Sequence, residues 1–407
     1  MPSSHGTCDL LVIGGGVIGL SIAWRARERG LDVIVLERET TGAGTSRVAA
    51  GMLAPVAEVE FGEAGRRLLS LGLRSAAAWP AFADELAATS GVDVALLRTG
   101  TLMLARDADE SRELERQIAF RDSLGLKTER LRSSQARERE PALAPALRLA
   151  LEAPDDHSVD PRRVLAALRA ACDATGVAVR EHARAKRVQS DAAGRVTGVL
   201  VAGPEAGDEL VRVQRVVLAA GAWSAQLDGV DDVVPVRPVR GQLLRLRDPR
   251  GPGLLRRVVR FGGGYVVPRG DGRYVLGATV EERGFDVQPD AGGVYRLLRD
   301  AHELVPGIDE LKIEELCVGL RPGTPDNAPA IGRGRPDGTI WATGHHRNGI
   351  LLAPLTAELV VGLICDELDD PTLAACSPRR FAKPSPGELE PAQRESLTAG
   401  AGGEVRA

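Results

Sequence analysis

The run Gly14-Gly15-Gly16-Val17-Ile18-Gly19 restricts this chain more than any other feature, because of what stands on either side of it. An apolar tetrapeptide, Leu10-Leu11-Val12-Ile13, precedes it. A helix-like stretch, Leu20 to Arg27, follows, and a second apolar run, Val33-Ile34-Val35-Leu36, ends at an acid, Glu37. The pattern reads as strand, glycine turn, helix and strand, the opening unit of a doubly wound α/β domain. Gly14 permits the tight turn, Gly16 lets the backbone approach a pyrophosphate, and Gly19 lets the helix pack closely on the strand. The helix start at Val17 and Ile18 offers unpaired N–H groups to the phosphates. Glu37, with Arg38 beside it, stands eighteen residues past Gly19, where a carboxylate can accept both hydroxyls of a ribose. The unit predicts a bound dinucleotide and does not separate FAD from NAD. A second signature, Gly344-His345-His346-Arg347-Asn348-Gly349, lies near the other end and is expected to close on the same ligand.

At 407 residues the chain is too long for one simple core, and two domains are expected. A net charge of −4 with acids and bases interspersed gives no basic stripe for nucleic acid and no polybasic membrane patch, so the expected partner is a small molecule. Five cysteines (Cys8, Cys172, Cys317, Cys365, Cys376), odd in number and without a CxxC, favour reduced thiols and no metal site. The uncharged stretch Leu10 to Trp24 is fifteen residues with four glycines, which suits neither a signal peptide nor a spanning helix. A soluble, cytoplasmic protein is expected.

Helical spacing of Leu68, Leu69, Leu73, Ala76, Trp79, Phe82 and Leu86 predicts a core-facing helix. A strand at 100–105 precedes a charged amphipathic helix, about Asp109 to Leu124, whose charges are read as a solvated face. Asp160-Pro161 has the arrangement of a helix cap followed by proline at the first helical position. Short strand-like runs follow at 194–201, 209–219, 242–246, 264–268 and 273–279. Arg269-Gly270-Asp271-Gly272 marks a hairpin. A helix over 291–304 and a strand over about 312–320 lead to the final glycine signature. The predicted architecture is α/β with α+β inserts. A doubly wound nucleotide domain (1–84, 157–230 and 320–377) is interrupted by an antiparallel-sheet substrate domain (85–156 and 231–319), with a disordered tail at 378–407.

Six downstream segments resolve the choice of cofactor: Gly51-Met52-Leu53-Ala54-Pro55, Val216 to Ser224, Tyr265-Val266-Val267-Pro268-Arg269, Gly277 to Glu282, Gly319 to Asp326, and Gly344 to Leu352. With them, and in this order from about Asp9 to Leu363, the chain closely resembles the glycine oxidase family of thiamine biosynthesis, within the FAD-dependent D-amino-acid oxidase and sarcosine oxidase superfamily. The resemblance implies an FAD-binding domain of glutathione-reductase type and an elongated, non-covalent FAD. Gly14, Gly16 and Gly19 would take its pyrophosphate and Glu37 its ribose. Val188 would offer backbone groups to adenine. Thr45, Ser46, Ala50, Gly51 and Met52 would line the flavin, with Ala220, Gly221 and Trp223 on the second strand-to-cofactor contact. The stretch from Gly344 through His345, His346, Arg347, Asn348 and Gly349 to Ile350 would open a helix aimed at the flavin edge.

The same resemblance assigns Arg321 to the substrate carboxylate and the flavin site, Tyr265 and Arg347 to positions beside it, and Met52 and Val280 to the pocket walls. No acid–base residue is singled out. The implied reaction is hydride transfer from Cα of glycine, sarcosine or a small D-amino acid to the flavin, with O2 as acceptor, H2O2 as product and an imine destined for the thiazole of thiamine. A dehydrogenase of the same fold, using another acceptor, is the competing reading. A homo-oligomer, a tetramer in the family, is also implied. Two departures stand out: His346 replaces the family's usual aromatic ring, and Cys317 stands where glycine oxidases often carry Trp, in a strand comparable to the one from which some related sarcosine oxidases attach flavin covalently to a cysteine.

Overall fold

The computed structural model describes residues 7–203, 207–231, 233–367 and 370–382. Its parallel sheet has the order Ala330–Arg333, Thr339–Thr343, Val216–Leu218, Leu10–Ile13, Val33–Leu36, Ala178–Arg180, antiparallel only at the first pair. Leu10–Ile13 is buried throughout, as a strand covered on both faces must be. On one face lie four helices, Val17–Glu28, Gly62–Ser90, Pro161–Thr175 and Ala353–Ile364, in mutual contact. Trp24, Trp79 and Phe82 interlock there edge to face.

The helix caps follow the sequence. Asp160 accepts the Arg162 N–H and Pro161 opens the helix, which buries Val164, Leu165, Leu168 and Cys172. In the long helix the buried face is Leu69, Ser75, Trp79, Phe82 and Leu86, while Leu73 of the expected stripe points outward and is 38% exposed. The charged helix, Ala108–Ser123, is capped by Asp107. Its Arg121 breaks the expectation of a solvated face, being buried and donating to the carbonyls of Val56 and Ala57.

Glu209 to Ala219 is not one strand. Glu209–Val213 joins a four-stranded sheet, whereas Val216–Leu218 enters the parallel sheet. The physical reason is legible: Val211 and Val213 alternate with exposed residues, but Val216-Val217-Leu218 is a continuous apolar run. The largest sheet has eight strands in the order Lys312–Gly323, Arg237–Arg247, Arg273–Gly277, Gly264–Pro268, Val258–Phe261, Thr101–Ala105, Leu149–Ala153, Glu129–Arg132. It is antiparallel except where Val258–Phe261 meets Thr101–Ala105. Ala291–Leu304 packs on it.

The segment after Gly344 does not open a helix. Residues 345–350 form turns and the helix begins at Ala353, because Gly344 (φ +76°) and His346 (φ +47°) are left-handed. Of the expected disordered tail, residues 378–382 are described and Pro378 is buried in a 3-10 turn; the remainder lies outside the described residues. Among the described residues no helix is long and apolar enough to cross a membrane.

Candidate active site

One elongated cavity of about 870 Å³ runs from Glu37, Arg38 and Ala183–Ala185, past Gly14 to Ile18 and Thr45 to Met52, to Tyr265, Arg321 and Arg347. Next to Glu37 it is lined by the glycine turn. Gly14 has φ +111°, and a Cβ there would stand 2.4 Å from the Ala219 carbonyl oxygen. A Cβ on Gly19 would stand 1.9 Å from the Gly14 carbonyl oxygen, so helix and strand meet only because both are glycine. Glu37 accepts the N–H groups of Gly15 (2.7 Å) and Glu39 (3.0 Å), which holds the carboxylate at the strand end. Arg38 stacks over Trp223, 3.7 Å from its ring centroid.

The middle of the cavity is walled by Thr45 to Met52. The Thr45 hydroxyl donates to the Leu320 carbonyl (2.6 Å), and Ser46 Oγ accepts the Val17 N–H (3.1 Å). Gly51 is left-handed (φ +80°) and lies against Val159, where a Cβ would be 2.2 Å from the carbonyl oxygen. The buried Arg269 locks this bend, donating to the carbonyls of Val159 and Ala50 at 2.7 Å each. Burial pulls its guanidinium down to about 10.

At the far end the eight-stranded sheet supplies two slots made by missing side chains. The Arg321 guanidinium lies across Gly241, where a Cβ would be 2.4 Å from Nη1, and the Tyr265 ring lies over Gly277, where a Cβ would be 3.0 Å from Oη. Arg321 Nη1 donates to the carbonyls of Thr279 (3.0 Å) and Arg240 (3.3 Å). Among the described residues no carboxylate stands within ion-pair distance of Arg321, although most surface arginines here have one. Burial pushes the Tyr265 phenol up, against the lowering effect of Arg321 and Arg260, and keeps it a neutral donor. Arg347 pairs with Glu60 and donates to the Glu58 carbonyl. Met52 and the largely exposed Val280 complete the walls.

Of the residues singled out in the sequence, most line this cavity: Gly14, Gly16, Val17, Ile18, Glu37, Arg38, Thr45, Ser46, Ala50, Gly51, Met52, Ala220, Gly221, Trp223, Tyr265, Val280, Arg321, His345, His346, Arg347, Gly349 and Ile350. Four do not. Gly19 and Gly344 serve packing, the latter against Thr324, and Asn348 borders a separate small pocket. Val188 is buried, with its N–H given to the Asp228 carbonyl; Ala183, Arg184 and Ala185 reach the cavity instead. Cys317 is one layer beneath the wall, packed with Ala50, Leu243 and Val267, and burial raises its thiol so that it stays protonated. Burial takes both His345 and His346 down to about 3, so neither is a cation at neutral pH.

Sequence reading missed Glu58, Glu60 and Arg260, and quoted Arg269 within a motif without giving its side chain a role. Arg260 could have been found, since the turn Gly262-Gly263 sets it opposite Tyr265 in the hairpin register. Glu58 and Glu60 lie in an irregular segment that no periodicity marks.

The cavity suits a long, bipartite ligand. It has an acid at one end for a ribose, a glycine turn and helix start for a pyrophosphate, and a partly apolar chamber beyond, as an FAD in extended pose requires. The FAD-dependent oxidoreductase family model matches residues 9–363. The chain is 37% identical to the glycine oxidase of Geobacillus kaustophilus, over 88% of this chain and 92% of the relative. It is 36% identical to the bifunctional protein ThiO/ThiG of Synechocystis, over 92% of this chain and 54% of that longer protein. The crystal structure of the Geobacillus kaustophilus glycine oxidase superimposes with a TM-score of 0.83 at 34% identity, covering 91% of this chain and 98% of that one. With its glycine turn, its acid-tipped second strand and its long cavity accounted for, the chain belongs to the FAD-dependent oxidoreductase family.

Proposed function

We propose that this protein oxidises glycine and other small amino acids and amines, sarcosine and small D-amino acids among them, at the Cα–N bond. The observation that carries the reading is Arg321, a guanidinium in the cavity with no carboxylate within ion-pair distance among the described residues, beside a neutral phenol. That is a receptor for the carboxylate of an amino acid. The identity to a protein named glycine oxidase supports glycine as first substrate.

When bound, FAD supplies the two-electron acceptor for the Cα–H bond and passes the electrons to O2, giving H2O2. The chain's own residues do the positioning. Arg321 takes the carboxylate with its guanidinium already tethered by the Thr279 and Arg240 carbonyls, and the Tyr265 hydroxyl donates to the same group. Met52 and Val280 limit the space beside Cα. The amine enters neutral, the iminium left when Cα gives up its hydride releases one N–H proton to solvent, and the imine that results is hydrolysed or handed on. Orientation of Cα carries the rate, and no side chain need act as base. The imine fits a supply role for the thiazole of thiamine, a role that the likeness to the ThiO/ThiG protein supports. A homo-oligomer in the cytoplasm completes the proposal, and sedimentation of the holoenzyme tests its assembly.

Anaerobic mixing with glycine tests the reaction. Bleaching of the oxidised flavin band, then recovery with H2O2 on admitting air, is the expected result. A flavin unchanged by glycine removes the substrate; a flavin that bleaches but is not reoxidised by air makes the protein a dehydrogenase.

A further inference from the structure

We propose that Arg260 forms a second anion-binding position beside Tyr265, so that the site favours amines and amino acids carrying two carboxylates over their monocarboxylate analogues. The proposal rests on the oxidase reading above and names the substrate class within it.

Arg260 and Tyr265 are directly paired across antiparallel strands, so both side chains leave the same face of the sheet. Both line the cavity. Arg321 leaves the same face of the sheet from its edge strand, and Tyr265 feels both guanidinium groups, Arg321 and Arg260. Arg260 spends little of its hydrogen-bonding capacity on the protein. Nη1 donates to the Ala57 carbonyl, Nη2 is 3.6 Å from Glu58 Oε1, and Nε is buried with no partner. A guanidinium has five N–H donors, so a ligand carboxylate can still be met edge on.

The contact with Ala57 does not explain the residue as a strut. The segment is already held from the opposite side, where Arg121 donates to the Val56 and Ala57 carbonyls and Asp156 accepts their N–H groups. Around Tyr265 the guanidinium groups of Arg260, Arg321 and Arg347 outnumber the carboxylates of Glu58 and Glu60, so the field there favours anionic ligands.

The test compares sarcosine with iminodiacetate, which differ by exchange of an N-methyl for an N-carboxymethyl group, in anaerobic single-turnover reduction of the holoenzyme. In parallel, methoxyacetate and oxydiacetate, which lack the oxidisable amine, are titrated by their perturbation of the flavin spectrum. The dicarboxylates are expected to be favoured by about tenfold or more in both measurements. Arg260→Leu should bring the ratios to parity or below, and Arg260→Lys should retain part of the preference. Parity in the unaltered protein, a preference for the monocarboxylates, or ratios unmoved in Arg260→Leu would overturn the assignment. If Arg260→Leu does not fold, the analogue titrations on the unaltered and Lys proteins decide alone. Glycine reduction in the same experiment separates the two claims: a flavin bleached by glycine with no dicarboxylate preference sinks only this one.

Discussion

At the scale of single residues, the site depends on where charge is left uncompensated. Arg321 is held by two carbonyls rather than a carboxylate, so its charge is available to a ligand. Replacing Arg321 with Ala should cost about 2–5 kcal/mol of transition-state binding, seen as a fall of roughly 30- to 5000-fold in kcat/KM for glycine. Unchanged kinetics would remove it from the site. Tyr265→Phe keeps the ring over Gly277 and loses one hydroxyl donor; a KM rise of about tenfold, with flavin content unaltered, is expected. The identity of both residues was legible in their motifs. Their slots were not, since Gly241 and Gly277 are far from Arg321 and Tyr265 in the chain or lie on another strand.

At the scale of elements, two devices keep the cavity walls in place. The strand-turn-helix unit is set by Gly14 and Gly19, and Gly14→Ala would add a Cβ at positive φ against the Ala219 carbonyl. The purified variant should carry little flavin, read from the ratio of flavin to protein absorbance; full occupancy would show that the turn yields. The bend at Ala50-Gly51 depends on Arg269, which the sequence displayed in a motif without a task. Arg269→Met leaves the Val159 and Ala50 carbonyls unpaired, at about 1–3 kcal/mol each, and should lower Tm in a thermal melt of the holoenzyme. The helix expected at His345–Ile350 failed for a local reason, the left-handed Gly344 and His346. A bulky non-glycine residue gives little warning that it will adopt that conformation.

At the scale of the whole molecule, burial of titratable groups couples stability to pH. His345 sits inside, with Nε2 2.9 Å from the Thr356 hydroxyl, and burial lowers it to about 3. The unfolded chain therefore binds a proton that the folded chain refuses as pH falls from about 6.5 to about 3, and stability is lost across that window. His345→Gln should flatten the loss by about 1.4 kcal/mol per pH unit, measured by denaturant melts at several pH values, with no change above pH 7. Identical slopes would mean that the imidazole titrates normally.

The sequence alone determined the dinucleotide unit, because its periodicities, its glycines and Glu37 are local and lie within one short stretch. It determined the helix capped at Asp160-Pro161 and the hairpin at Arg269 to Gly272 for the same reason. The tertiary structure alone decided which residues meet around Tyr265. Arg260 comes from the neighbouring strand, Arg321 from the far edge of the sheet, and Glu58 and Glu60 from an irregular segment clamped by Arg121 and Asp156. Such juxtapositions are set by strand order and by the absence of side chains at Gly241 and Gly277, and neither leaves a periodic signal in one dimension.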